Sequence, residues 1–222
     1  MKIINIFAVL ILIFGSLHVL LFLGDDLPLK PDRHYPQWLK TVDMHTNQTS
    51  GIAFLKVAES KKYFLLADDI GDLWRFSIAQ DTIFELKKLA FSESVQNFLA
   101  KFPKKDFEEI AYDKFTGDIY MSIEGNIPEV EKYVGIYQLK FSGNNFFADT
   151  IVSLEKIQIY PQKLFLKYVA NNIGYEGLAV SEKYLFLGLE GFENKSVFSD
   201  STMIFVVDKK SKRIIKQLST RN

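Results

Sequence analysis

Carboxylates recur in this chain at matching places. Glu108-Glu109 and Glu176-Gly177 each open a short apolar run, and Ser50-Gly51 opens a third. The apolar run that follows each of these ends on an acid: Asp68-Asp69 after the first, Glu124 after the second, Glu190 after the third. If each pair of runs is an antiparallel hairpin, the start of one strand and the end of the next share a side of the sheet. Asp68 or Asp69, Glu108 or Glu109, Glu124, Glu176 and Glu190 are then expected around one mouth. Converging carboxylates cannot all stay ionised without a cation or hydrogen-bond donors. A hard cation such as calcium accepts carboxylate oxygens together with backbone carbonyls and water. The expected metal ligands are Glu108, Glu124, Glu176 and Glu190, with Asp68 and Asp69 as further ligand-binding residues. Asn126, Asn171 and Asn172 are candidate donors of amide oxygens. Glu124-Gly125 and Glu176-Gly177 are the strongest signals, because glycine permits close backbone approach. The competing reading is plain: acids at strand ends often only accept turn N–H groups or stand in water.

Other chemistry is poorly supplied. The chain has no cysteine, which removes disulfides, zinc–thiolate sites, iron–sulfur clusters and thiol catalysis. Its three histidines are His18, His34 and His45, none paired with another at metal-ligand spacing. Ser50-Gly51 lacks the Gly-x-Ser-x-Gly elbow of a hydrolase, and no glycine-rich phosphate loop is present. Lys plus Arg and Asp plus Glu both number 27, so net charge gives no case for nucleic acid. The 20 Phe and 10 Tyr favour strands over helices.

The body reads as short strands. Ser50 to Val57, Tyr63 to Ala67, Asp72 to Ile78 and Thr82 to Leu89 form a first unit. Its third member alternates Trp74, Phe76 and Ile78 against Leu73, Arg75 and Ser77, a two-residue period. Val95, Phe98 and Leu99 then fall at helical spacing between Ser92 or Ser94 as a cap and Pro103, so a short helix is expected. Glu108 to Asp113, Gly117 to Glu124, Tyr133 to Phe141 and Thr150 to Ile159 form a second unit. Leu164 to Ala170 is either a helical turn or an outer strand. Glu176 to Val180, Tyr184 to Leu189, Thr202 to Asp208 and Arg213 to Leu218 form a third. Leu39 to Met44 is a further strand candidate.

Three repeats of four antiparallel strands describe β-propeller blades, so the fold class is all-β. Gly51 and Glu109 are 58 residues apart, Glu109 and Gly177 are 68 apart. A plain blade takes about 40–50 residues, and the helix and loops account for the excess. Closed propellers have about four to eight blades. Three leave two open edges, which is expected to mean a partial or truncated propeller, two copies completing one another, or a smaller open sandwich.

Residues 38–222 make up this domain, and residues 25–37, with Pro28, Pro31 and Pro36, read as an extended linker. Residues 1–24 read as a signal peptide or a membrane anchor. Ile3 to Leu23 would span about 31 Å as a helix, roughly a bilayer core. Lys2 before it and Asp25-Asp26 after it place the body outside the cytoplasm, in the periplasm, on the cell surface or secreted, tethered to the membrane where the segment is not cleaved.

The signatures Ser50-Gly51-Ile52-Ala53, Asp106-Phe107-Glu108-Glu109-Ile110-Ala111 and Tyr175-Glu176-Gly177-Leu178-Ala179 resemble the SdiA-regulated family and its relative, the phytase-like esterase domain. Those families carry S-G-[IL], D-x-E-[AG]-I and E-G-L at the heads of successive blades. The resemblance covers residues 49–208 and implies an extracytoplasmic propeller with acidic residues near the channel, and calcium. Glu109 departs from it, standing where Ala or Gly is usual, and the family's later blades are not in this sequence. Two functions follow as expectations. One is a module that binds a ligand or partner at an acidic, calcium-assisted mouth without catalysis. The other is a calcium-dependent phosphoesterase or esterase, in which metal-bound water attacks. The second also requires cations for the phosphate, with Arg75 and Lys132 as candidates.

Overall fold

The computed structural model describes residues 46, 48–79, 82–191 and 201–221, with the backbone alone for 82–84, 201, 220 and 221. The expected apolar segment, linker and Leu39–Met44 strand lie outside these residues.

Three antiparallel sheets follow one another along the chain. The first is β1 (Thr49–Ala58), β2 (Lys61–Asp68), β3 (Leu73–Ala79) and β4 (Thr82–Lys88), in that spatial order. The second contains β6 (Phe107–Tyr112), β7 (Ile119–Ile123), β8 (Gly135–Phe141) and β9 (Thr150–Lys156), and the third β10 (Tyr175–Val180), β11 (Tyr184–Leu189), β12 (Ser201–Asp208) and β13 (Arg213–Arg221). The first strands lie side by side, β1 next to β6 and β6 next to β10. The chain is therefore all-β, with three propeller blades fanned from their innermost strands.

Side-chain alternation builds the stack. In blade 2, Ile119, Met121 and Ile123 of β7 join Leu65, Ala67 and Leu73 of blade 1 in one core. On the opposite face, Tyr120 of β7 and Ile136 of β8 join Leu185, Leu187 and Phe205 of blade 3 in another. With apolar layers on both sides, every residue of β7 is buried, which is why this strand reads as a near-continuous apolar run. The outer face of blade 1 gathers Leu66, Trp74, Phe76 and Leu86 into a smaller cluster. Phe64 stacks on Phe76 there at 4.8 Å.

Local chemistry sets the turns. Glu59 and Ser60 both take positive φ, 50° and 61°, the pair of left-handed residues that a two-residue hairpin needs. β2 begins directly after this pair, at Lys61. The expected helix is α1 (Glu93–Leu99), entered at Ser92 without a side-chain cap bond. Just before it, β5 (Ala90–Phe91) pairs in parallel with β9 and covers the outer edge of blade 2, a strand too short to leave a periodic signal. Some expected strand bounds are corrected in extent, and one open alternative is decided. Tyr133 closes a helical turn, Val130–Tyr133, and β8 starts at Gly135. β9 ends at Lys156, and Ile157 continues only as an amide bonded to the Ile136 carbonyl at 2.8 Å. Residues Gln162–Phe165 form a helical turn, not an outer strand.

Side chains clip the blades together. Arg75 of β3 donates to the carbonyls of Phe146 and Ala148 at 3.1 and 3.0 Å and pairs with Asp149 at 2.7 Å. On the side away from the mouth, Lys209 after β12 pairs with the fully buried Asp113 after β6. Burial would raise Asp113, but hydrogen bonds from Lys209, Phe115 and Thr116 outweigh it and hold the carboxyl below its ordinary range.

Candidate functional site

The mouth is built from the same corner three times. After β2, the amide of Asp69 donates to the carbonyl of Gln48 at 3.1 Å. After β7, Glu124 donates to Asp106 at 2.9 Å, and after β11, Glu190 donates to Gly174 at 3.1 Å. Each acceptor is the residue immediately before its blade's first strand. The three acids Asp69, Glu124 and Glu190 are thus equivalent positions. Of the two aspartates expected at the blade 1 corner, Asp69 is the counterpart of Glu124. Asp68 is the last residue of β2 and its carboxylate is committed inward, accepting from the Thr49 hydroxyl and the Trp74 indole N–H, each at 2.9 Å.

A register shift also recurs, between Thr49 and Gly51, between Phe107 and Ile110, and between Tyr175 and Gly177. Each is a one-residue bulge, the device that re-aims a side chain where a strand begins. It falls on Ser50, on Glu108-Glu109 and on Glu176. In blade 2 the hydroxyl of Ser122, itself fully buried, takes the Glu109 amide at 3.0 Å.

Glycine at the second bulge position has a packing reason in blade 1. A Cβ on Gly51 would lie 2.7 Å from Glu109 Cα and from the Ile110 nitrogen, so β1 and β6 meet backbone to backbone. Glu109 can occupy the matching position of blade 2 because its carboxylate turns back across that contact. Its Oε1 accepts from Ile52 at 3.1 Å and Ile110 at 2.9 Å. Burial raises Glu109 and these two donors oppose the rise.

The corners converge. Carboxylate oxygens of Asp106, Glu108 and Glu124 all lie within 4.8 Å of one another, and so do those of Glu124, Glu176 and Glu190. Glu124 belongs to both groups. Its side chain is 2% exposed and its Oε1 has no hydrogen-bond partner. Burial, then repulsion from Glu108 and Asp106, pushes Glu124 up to about 8. Burial and the charges of Asp106 and Glu176 push Glu108 up to about 7. Glu176 is raised by burial and by Glu190 and Asp106. Asp69 is raised by burial, with Lys104 working against the rise and Asp106 and Asp68 for it.

Two members were missed from sequence. Asp106, 1% exposed, precedes β6 and was read only as part of the family-like signature. Lys104 approaches its Oδ1 at 2.7 Å. Lys104 sits in the segment between α1 and β6, where Phe102 packs on Tyr133 at 4.4 Å between ring centres. The next residue, Lys105, lies against Gly71, which takes φ +86° and has no room for a side chain on that side. A lysine in a loop carries no periodic signal, and only the packing of Phe102 and Gly71 reveals its place.

The expected phosphate-binding cations are elsewhere. Arg75 is held at Asp149, and Lys132 pairs with Glu129 at 2.9 Å. The asparagines are partly spent: Asn126 turns its amide N–H₂ to Asp106 at 3.2 Å, and the Asn171 oxygen accepts from Ile127 at 3.0 Å.

Over the described residues, fold and site together define three propeller blades fanned about an acidic mouth. No protein-family model matches the sequence, and no curated protein matches it. Among solved structures it is similar to a crystal structure of a thermostable family-43 glycoside hydrolase, at 12% identity and a TM-score of 0.47. That likeness covers 79% of this chain and 54% of the other, so the chain spans about half its length.

Proposed function

We propose that this protein is an extracytoplasmic propeller module whose acidic mouth binds a divalent cation, calcium by its ligand chemistry, and through it a ligand or partner. The observation that carries the reading is Glu124: deeply buried, with one oxygen unpartnered, and common to both carboxylate groups. A buried carboxylate without a donor is costly, and a hard cation held there would remove that cost. Glu124, Glu176 and Glu190 would hold the ion, with Glu108 and Asp106 on its blade 2 side. The cation supplies charge neutralisation and open positions for oxygen ligands. Exposed Glu176 and Glu190 keep the mouth accessible to them.

Binding rather than turnover is the favoured activity, because Arg75 and Lys132 are tied to carboxylates of their own. Calorimetric titration with calcium tests the reading. The wild type is expected to bind, and Glu124→Gln to weaken binding at least about tenfold, which corresponds to about 1.4 kcal/mol. Equal affinity in the two proteins overturns it. Calcium-dependent turnover of a generic phosphomonoester, lost in Glu124→Gln, would replace it with the esterase alternative.

A further inference from the structure

The two carboxylate groups at the mouth are not equivalent. Among the described residues, an ion pair with a cation of the chain's own is made only in the Asp106–Glu108–Glu124 group. Lys104 Nζ lies 2.7 Å from Asp106 Oδ1, and Asp106 belongs to that group alone. The lysine's backbone is fixed from both sides, through Phe102 on Tyr133 and Lys105 against Gly71. Its side chain is 49% exposed, so it is not part of the core.

We propose that Lys104 serves as a built-in cation for the blade 2 side of the mouth, so that the cluster takes one divalent ion, on the Glu124–Glu176–Glu190 side, instead of two. The inference rests on the cation-binding reading above and specifies its stoichiometry. The physical reason is charge. Asp106, Glu108 and Glu124 would bring three negative charges within 4.8 Å, an arrangement that requires a positive charge or protonation. An ammonium on Asp106 supplies the charge permanently, and a second ion would have to displace it from that carboxylate. Among the described residues, no Lys or Arg is ion-paired to Glu124, Glu176 or Glu190. A surface lysine contributing little, as many exposed ion pairs do, is the alternative that the test must separate.

The test is calcium titration of the full chain by calorimetry, reading the number of ions bound. The wild type is expected to bind one. Lys104→Ala is expected to bind two, and Lys104→Arg, which keeps the charge, one. Lys104→Gln keeps much of the side-chain length without the charge and is also expected to bind two, which guards against a folding defect peculiar to alanine. Adding Glu108→Gln to Lys104→Gln should return the count to one. Two ions in the wild type overturn the inference, as does a single ion, at any affinity, in both Lys104→Ala and Lys104→Gln; either result leaves the cation reading standing. No calcium bound by any of these proteins overturns both.

Discussion

Gly174 is the surface on which Glu124 lies: a Cβ placed on it would come 3.0 Å from Glu124 Cγ. The same glycine accepts the Glu190 amide at 3.1 Å. One small residue before β10 therefore backs the carboxylate shared by both groups and anchors the corner that presents the third.

Gly174→Ala is accordingly expected to displace the Glu124 side chain by a few tenths of an ångström while leaving the blades intact. Gly174 does not have positive φ, so the backbone accepts alanine. Calcium affinity should fall severalfold with little change in the urea midpoint, measured on the same preparation. An unchanged affinity would mean that the position of Glu124 is not critical to the site.

Stability should depend on pH in a direction set by the raised carboxyls. Glu124 at about 8 and Glu108 at about 7 hold protons in the folded state that the unfolded chain, near 4.5, has released. Their contribution is fully present below about pH 4.5 and is lost as pH rises towards 8, at about 1.4 kcal/mol for each unit of displacement. In chelator, urea midpoints should decline from pH 5 to pH 8.5, and Glu124→Gln should flatten the decline. Calcium at pH 8.5 should recover part of it, since a ligand that binds only the folded state adds stability. A profile that rises over this interval would contradict the burial and mutual repulsion described at the mouth.

Glu109 is expected to matter for cohesion between blades 1 and 2. Glu109→Ala removes the acceptor of two backbone N–H groups, one of them on the neighbouring blade. A loss of about 1–2 kcal/mol is expected from chemical denaturation. Glu109→Gln, which retains an acceptor oxygen, should lose less than half of that. Calcium stoichiometry should be unaltered in both.

The far side of the fan depends on Lys209. Asp113 is 0% exposed and Lys209 10%, so Lys209→Met strands a buried carboxylate. Breaking such a pair from one side costs about 3–5 kcal/mol. Asp113→Asn should cost less, because it leaves no buried anion, its amide oxygen can still accept from the Phe115 N–H, and its N–H₂ can donate to the Thr116 hydroxyl. The double variant should be more stable than Lys209→Met alone. A thermodynamic cycle with no coupling would show that blades 2 and 3 do not depend on this contact.

The strand pattern was legible because each blade face meets a different apolar layer. Leu73 and Trp74 are neighbours in sequence and enter separate cores, and such alternation leaves a two-residue period. The acids at the ends of β7 and β11 were legible for the same reason, since hairpin geometry alone brings Glu108 beside Glu124 and Glu176 beside Glu190. The one-residue offset that puts Asp69 rather than Asp68 at the equivalent corner was not legible. It follows from the Asp69 amide bonding to the Gln48 carbonyl, and two adjacent aspartates carry no mark of which one does so.

By itself the sequence determined three like meanders and the acids at their corners, because period-two patterning and hairpin reversal are local properties. Only the tertiary structure decided which acids meet. Glu124 joins Glu176 and Glu190 because β6 lies beside β10, and Lys104 reaches Asp106 because Phe102 and Gly71 hold its loop. Both facts arise from packing between residues far apart in the chain, where side-chain volume and backbone approach, not periodicity, set the distances.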